Sequence, residues 1–117
     1  MKLLDIKSYY ESDFMTSKAL AIIISGLPCT GKTTIARKLS QKYSLPLFSK
    51  DDVKESLFDS LGWEDRKWSK KIGMATYPIL YHFIESQLKA RKSFIVESNF
   101  HPKYDSEKFL VLKKKYS

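Results

Sequence analysis

The sequence predicts an α/β protein with three layers, in which a parallel sheet lies between two layers of helices. Three short apolar segments, at about 19–25, 45–49 and 93–97, have the composition of strands. A segment with helical spacing follows each of them, so the predicted order is βα, βα(α), βα. Parallel strands need crossover connections, and helices supply them with right-handed chirality. The chain has 117 residues, which is room for one domain.

The first strand is the clearest of the three. Residues 19–25 form a continuous apolar run rich in isoleucine, typical of a strand buried on both faces of a parallel sheet. Ile35, Ala36, Leu39 and Tyr43 then recur at helical spacing. The first strand and its helix therefore cover about 19–44, with a glycine-rich segment between them.

That segment, residues 26–33, reads GLPCTGKT and fits the phosphate-binding pattern G-x-x-x-x-G-K-[ST]. The glycines let the backbone turn tightly and bring its N–H groups to phosphate oxygens. Lys32 should reach the β- and γ-phosphates, and the Thr33 hydroxyl should contact Mg²⁺. The motif therefore predicts binding of a nucleoside triphosphate with Mg²⁺. The predicted nucleotide contacts are Gly26, Leu27, Pro28, Cys29, Thr30, Gly31, Lys32, Thr33 and Thr34.

The remaining elements are predicted from helix and strand signals. Pro46 is tolerable near the beginning of the second strand, and Asp51 or Asp52 should cap a helix over 53–61 that Gly62 ends. A long helix over about 69–90 should be kinked at Pro78. After the third strand, a final helix is expected over 105–116, and residues 1–18 have the composition of an irregular or helical extension. The buried stripe predicted for the long helix is Ile72, Ala75, Ile79, Phe83 and Leu88.

Polar residues follow the second and third strands where these should end. Ligands of open α/β sheets lie at the carboxyl ends of the strands, so these residues are candidates for the site. Phosphoryl transfer needs one carboxylate for the acceptor proton and another near Mg²⁺. Asp51 suits the first role, with capping of the following helix as the alternative for Asp51 and Asp52. Glu97 suits the second role, because a carboxylate that closes an apolar strand needs a partner.

Composition narrows the class of protein. The formal net charge is +8, which fits either a polyanionic partner such as nucleic acid or solvated helix faces. The chain has 18 Lys and three Arg, whereas a nucleic-acid surface often has more arginine. A single cysteine excludes an internal disulfide and fits a reducing compartment. No apolar run is long enough to cross a membrane, and no signal peptide is evident, so we expect a cytoplasmic protein.

Three segments together resemble the small P-loop kinases: GLPCTGKTT at 26–34, SKDDVK at 49–54 and ESNFHP at 97–102. The likeness is closest to the kinase domain of polynucleotide 5′-kinases and to AAA-type ATP-binding proteins predicted to be kinases. It implies that Asp51 is the general base and that Glu97 is the acidic residue at the end of the third strand. It also implies a substrate site at Asp52, Lys54 and Asn99. Lys54 stands where polynucleotide kinases have an arginine, and lysine cannot make the bidentate phosphate contact of arginine.

The resemblance also implies five strands and an arginine-bearing lid, whereas the sequence supplies about three strands over 19–117. We therefore expect an incomplete sheet whose first strand is an open edge, with self-association or a partner that completes the sheet. The leading hypothesis is a kinase that phosphorylates a hydroxyl group of a small molecule or nucleotide. The alternatives are a polynucleotide 5′-hydroxyl kinase, a truncated non-catalytic nucleotide-binding module, and a simple nucleoside triphosphatase.

Overall fold

A computed structural model describes residues 2–5, 20–25, 31–100 and 102–116. These residues form four strands and four helices. The strands are β1 (Lys2–Asp5), β2 (Leu20–Ile24), β3 (Leu47–Ser49) and β4 (Phe94–Glu97). The helices are α1 (Lys32–Tyr43), α2 (Lys50–Leu61), α3 (Arg66–Lys89) and α4 (Pro102–Tyr116).

The strands form a parallel sheet in the order β1–β2–β4–β3. Its two middle strands, β2 and β4, are the most apolar, as expected where both faces are covered. Ala36 of α1 packs against one face with Ile22, Ile24 and Ile95. Helices α3 and α4 pack against the other face, around Phe94. The three-layer α/β class and the parallel sheet are thus confirmed.

The strand β1 corrects the expectation for the N-terminal segment. Residues 1–18 were expected to be irregular or helical, yet residues 2–5 pair with β2, from Lys2 opposite Leu20 to Asp5 opposite Ile23. The prediction that β2 is an open edge is therefore wrong. An unpaired apolar strand can form hydrogen bonds with any extended segment, and here residues 2–5 of the same chain supply that segment. The argument for self-association through β2 loses its basis.

The buried stripe of α3 also differs from the prediction. It follows a spacing of four residues throughout: Ile72, Thr76, Leu80, Ile84 and Leu88. The predicted stripe omitted Thr76, whose hydroxyl donates to the Gly73 carbonyl at 2.6 Å and can therefore be buried. Ile79 remains 38% exposed, and Ala75 is also exposed. Pro78 lies inside the continuous helix on its exposed side.

Side-chain hydrogen bonds join α3 to α4. The Tyr81 hydroxyl donates to Asp105 Oδ1 at 2.5 Å, and burial together with this carboxylate raises the pKa of Tyr81. Glu85 Oε1 accepts from Lys115 Nζ at 2.9 Å and from the Tyr116 hydroxyl at 2.7 Å.

In the parts of the chain that the structure describes, no helix is long and apolar enough to cross a membrane.

Candidate functional site

The carboxyl ends of three strands meet at one edge of the sheet. Ile24 of β2 and Ser49 of β3 both lie opposite Glu97 of β4 in the register. The Ser98 N–H donates to the Ile24 carbonyl at 3.0 Å, which extends the pairing of β2 with β4 by one residue. The chain therefore brings the end of β2, the start of α2 and the acidic end of β4 together, as the motifs predicted.

Helix α1 begins beside this edge in a form suited to an anion. Its N-cap is Gly31, whose φ of 81° is in the left-handed region that favours glycine. Among the described residues no side chain caps the helix, and its first turn has no acidic residue, so its first N–H groups suit a phosphate. Thr33 is half-buried and Thr34 is exposed.

The other predicted nucleotide contacts fall largely outside the described residues. Gly26, Leu27, Pro28, Cys29 and Thr30 lie outside them, and so does the side chain of Lys32. Their predicted roles therefore stay predictions from the motif.

Glu97 is a buried carboxylate at the centre of the edge. Its exposed fraction is 1%, and its described hydrogen bond is a long one of 3.5 Å from the Ser49 hydroxyl. A buried charge with so little compensation needs a further partner. Sequence reasoning placed Ser49 among the polar residues that close the second strand but assigned it no role.

The oxygen atoms at this edge fit a magnesium ion by their chemistry. Mg²⁺ prefers carboxylate, hydroxyl, water and phosphate oxygens, and it rarely has an all-protein cage. Glu97, Ser49 and Thr33 offer such oxygens. Over the described ranges, no three His, Cys, Asp or Glu side chains group together as a metal site. The nucleotide phosphates and water would therefore have to complete the coordination.

Asp51 and Asp52 lie in the first turn of α2, and both are exposed. The expectation that one of them caps a helix starting at residue 53 is wrong, because α2 starts at Lys50 and its N-cap is Ser49. Gly62 ends the helix as predicted, with φ at 83°. Carboxylates in the first turn still interact favourably with the helix dipole.

Asp52 also lines a cavity of about 360 Å³ between β3 and α2, which Asp51 does not line. The cavity has an apolar part and a row of hydroxyl groups. Its lining residues are Leu47, Phe48, Ser49, Asp52, Val53, Ser56, Leu57 and Ser60. The two neighbouring carboxylates thus have different surroundings.

Lys50 and Asn99 form a polar contact across the same edge. Lys50 Nζ lies 2.9 Å from Asn99 Oδ1 and 3.2 Å from the Tyr77 hydroxyl of α3. The Tyr77 hydroxyl lies 3.4 Å from the Asn99 carbonyl oxygen. Lys54, one turn along α2, is half-buried, and its Nζ lies 5.9 Å from the centre of the Phe58 ring. Lys50 and Tyr77 were not predicted as site residues.

The fold and the site define a class of protein. A parallel α/β sheet, a phosphate-binding motif after an interior strand and a buried acidic residue at the end of the neighbouring strand are the features of a P-loop nucleotide-binding domain.

Comparison with known proteins gives the family. Residues 22–114 match the AAA domain family AAA_33, and the chain belongs to this family. It is also similar to the crystal structure of a proposed kinase from Chloroflexus aurantiacus j-10-fl, with a TM-score of 0.79 and 42% sequence identity. The match covers 87% of this chain and 56% of that structure, so the chain spans little more than half of its length. No curated protein matches the chain. The chain thus has the nucleotide-binding domain of a P-loop kinase.

Proposed function

We propose that the chain transfers the γ-phosphoryl group of ATP to a hydroxyl group of a small molecule or nucleotide, with Mg²⁺. The observation that carries this proposal is the buried Glu97 carboxylate, in register with the end of β2 and with Ser49. Phosphoryl transfer from a nucleotide needs an acidic group near the metal ion, and the position of Glu97 at the strand end supports that role.

Different residues would bind the phosphates, hold Mg²⁺ and accept the proton. Lys32 and the N–H groups at the start of α1 bind the phosphates. Thr33 and Glu97 are the residues that would hold Mg²⁺, which neutralises charge on the phosphate oxygens. Asp51 accepts the proton of the acceptor hydroxyl group. The hydroxyl oxygen forms a bond to the γ-phosphorus, and the bond between that phosphorus and the ADP oxygen breaks.

Two kinds of acceptor fit this reaction. A small hydroxyl compound or nucleotide is the leading one, because Lys54 lacks the bidentate geometry with which arginine binds a polynucleotide phosphate. A polynucleotide 5′-hydroxyl group is the alternative, supported by the net charge of +8. Small hydroxyl compounds and 5′-hydroxyl oligonucleotides should be compared in the same transfer assay.

The test is transfer of label from γ-labelled ATP. Asp51→Ala should abolish transfer and preserve ATP binding, and Lys32→Ala should abolish both. Asp52→Ala is the critical comparison, because Asp52 lines the cavity beside β3 and could serve as the base instead. Asp59→Ala is the matched control, since Asp59 is an exposed carboxylate farther along α2. Retained transfer in Asp51→Ala would remove that residue from the mechanism.

A nucleotide-binding module without transfer is the second candidate. The exposure of both Asp51 and Asp52 favours it, because enzymes commonly tune a catalytic carboxylate by burial and neighbouring groups. Such a module would bind ATP, transfer no label to any acceptor and be indifferent to Asp51→Ala. A nucleoside triphosphatase would instead release phosphate without an acceptor.

A further inference from the structure

The ammonium group of Lys50 is fixed in place by neutral groups. It donates to Asn99 Oδ1 at 2.9 Å and to the Tyr77 hydroxyl at 3.2 Å, and it lies 4.5 Å from the centre of the Tyr77 ring. An exposed lysine normally samples many rotamers, and holding it costs side-chain entropy. Two hydrogen bonds and a cation–π contact therefore define one position for this charge, at the edge where β3 and β4 end.

No acidic side chain in the described part of the chain balances the charge of Lys50. Among the residues that the structure describes, no carboxylate lies within ion-pair distance of Lys50 or of Lys54. The two lysines are one helical turn apart on α2 and both face α3, where Lys50 meets Tyr77 and Lys54 lies beside Gly73. Like charges at this spacing destabilise a helix. An anion placed between the strand ends and α3 would relieve that repulsion.

An ammonium group has three N–H donors, and the contacts to Asn99 and Tyr77 use two of them. The third can be donated to an anionic oxygen without breaking either contact. The direct neighbour of Lys50 in sequence is Asp51, the proposed base. Consecutive side chains of a helix do not face each other, so an acceptor that contacts both residues must extend around the first turn of α2, with its anionic group at Lys50 and its hydroxyl group at Asp51.

We propose that Lys50, held by Tyr77 and Asn99, is the recognition group for an anionic acceptor, a hydroxyl compound that also has a phosphate or carboxylate group. This inference rests on the proposed kinase function and narrows its substrate class. Lys50 would bind the anionic group, while Asp51 acts on the hydroxyl group. Tyr77 is a positioning residue, because it acts through Lys50.

Anion binding can be tested without knowledge of the acceptor. Inorganic phosphate is titrated into the ¹⁵N-labelled full chain with the Lys32→Ala substitution, which removes the phosphate-binding lysine of the P-loop. The amide signals of Lys50 and Asn99 should shift saturably. Lys50→Met should raise the Kd for phosphate at least about tenfold, the usual effect of losing a hydrogen bond to a charged group, and Lys50→Arg should retain binding. Lys71→Met, at an exposed position of α3, is the matched control.

Tyr77→Phe supplies a second variant. It keeps the aromatic ring and removes the hydroxyl that positions Lys50, so phosphate binding should weaken several-fold while the thermal unfolding midpoint changes little. If Lys50→Met fails to fold, the phosphate Kd of Tyr77→Phe tests the inference in its place. An unchanged phosphate Kd in Lys50→Met or Tyr77→Phe, or shifts confined to other parts of the chain, would overturn the inference.

Transfer assays separate this inference from the proposed function. Glycerol 3-phosphate and glycerate should be better acceptors than glycerol, and the comparison of the first two distinguishes phosphate from carboxylate. Equal transfer to glycerol would refute the anionic acceptor and leave the kinase standing. No ATP binding by the unmodified chain would refute the kinase, whereas phosphate shifts at Lys50 would still stand as an observation.

Discussion

Replacing Glu97 by glutamine should stabilise the folded chain and weaken its binding of Mg²⁺–ATP. The carboxylate is 1% exposed, and its described hydrogen bond is the 3.5 Å contact from Ser49. Glutamine keeps the shape and can accept the same hydrogen bond without a buried charge. A poorly compensated buried group costs about 1–3 kcal/mol when it is neutral and more when it is charged, so removing the charge lowers the cost of this site. We therefore expect a gain of about 2 kcal/mol without nucleotide, or roughly 8 °C in the unfolding midpoint for a domain of this size.

Thermal unfolding with and without Mg²⁺–ATP measures both effects in one experiment. A ligand at free concentration L stabilises a protein by RT ln(1 + L/Kd), so a weaker affinity should reduce the increase in midpoint on adding Mg²⁺–ATP to Glu97→Gln. Glu55→Gln removes an exposed carboxylate from α2 and should change neither quantity. A lower midpoint without nucleotide would show that the Glu97 charge is already compensated. An unchanged response to Mg²⁺–ATP would show that Glu97 has no part in binding.

Three further predictions concern the fold and the start of α1. Leu80→Ala should lower the free energy of unfolding by about 3 kcal/mol, roughly 12 °C in unfolding midpoint, whereas Ile79→Ala should lower it by under ~1 kcal/mol. A larger loss in Ile79→Ala than in Leu80→Ala would support the stripe predicted from the sequence. Gly31→Ala and Gly62→Ala should each lower the free energy of unfolding by about 1 kcal/mol, because both glycines have positive φ. Calorimetric titration should show weaker ATP binding only for Gly31→Ala. Hydrogen bonds from α4 lower the pKa of Glu85 to about 2 from 4.5, so its stabilising effect should be present above pH 4.5 and be lost as the pH falls toward 2. The difference in unfolding midpoint from Glu85→Gln should disappear over that range, and a constant difference would contradict this assignment.

The edge strand β3 was predicted from its short apolar segment at 45–49, and the two middle strands were predicted because their residues are apolar on both faces. The run ending at Ile24 and the run ending at Glu97 have this property, and the structure places both in the middle of the sheet. β1 could not be predicted in the same way, because four residues with charged ends have no periodicity to read. β1 is a strand because it pairs with β2, and this tertiary contact is not visible in the sequence of β1 itself.

The motifs predicted which strand ends would meet, but not the contacts between them. Sequence spacing gave the positions of Asp51, Glu97 and Asn99 on neighbouring strand ends. It could not give the contact between Lys50 and Tyr77, because these residues lie on two helices whose packing is set by the core. The phase of α3 was missed as well, since the predicted stripe took Ala75 and Ile79 where the structure buries Thr76 and Leu80.

The pairing of β1 with β2 has a practical consequence for any shortened form of this protein. The family match begins at residue 22, and a chain trimmed to that boundary would lack residues 2–5 together with Leu20 and Ala21 of β2. The backbone groups of β2 on that side would then face water or another molecule. Such a chain would keep every motif residue and yet be prone to precipitate during purification, so a failed activity assay on it would reveal nothing about the catalytic residues.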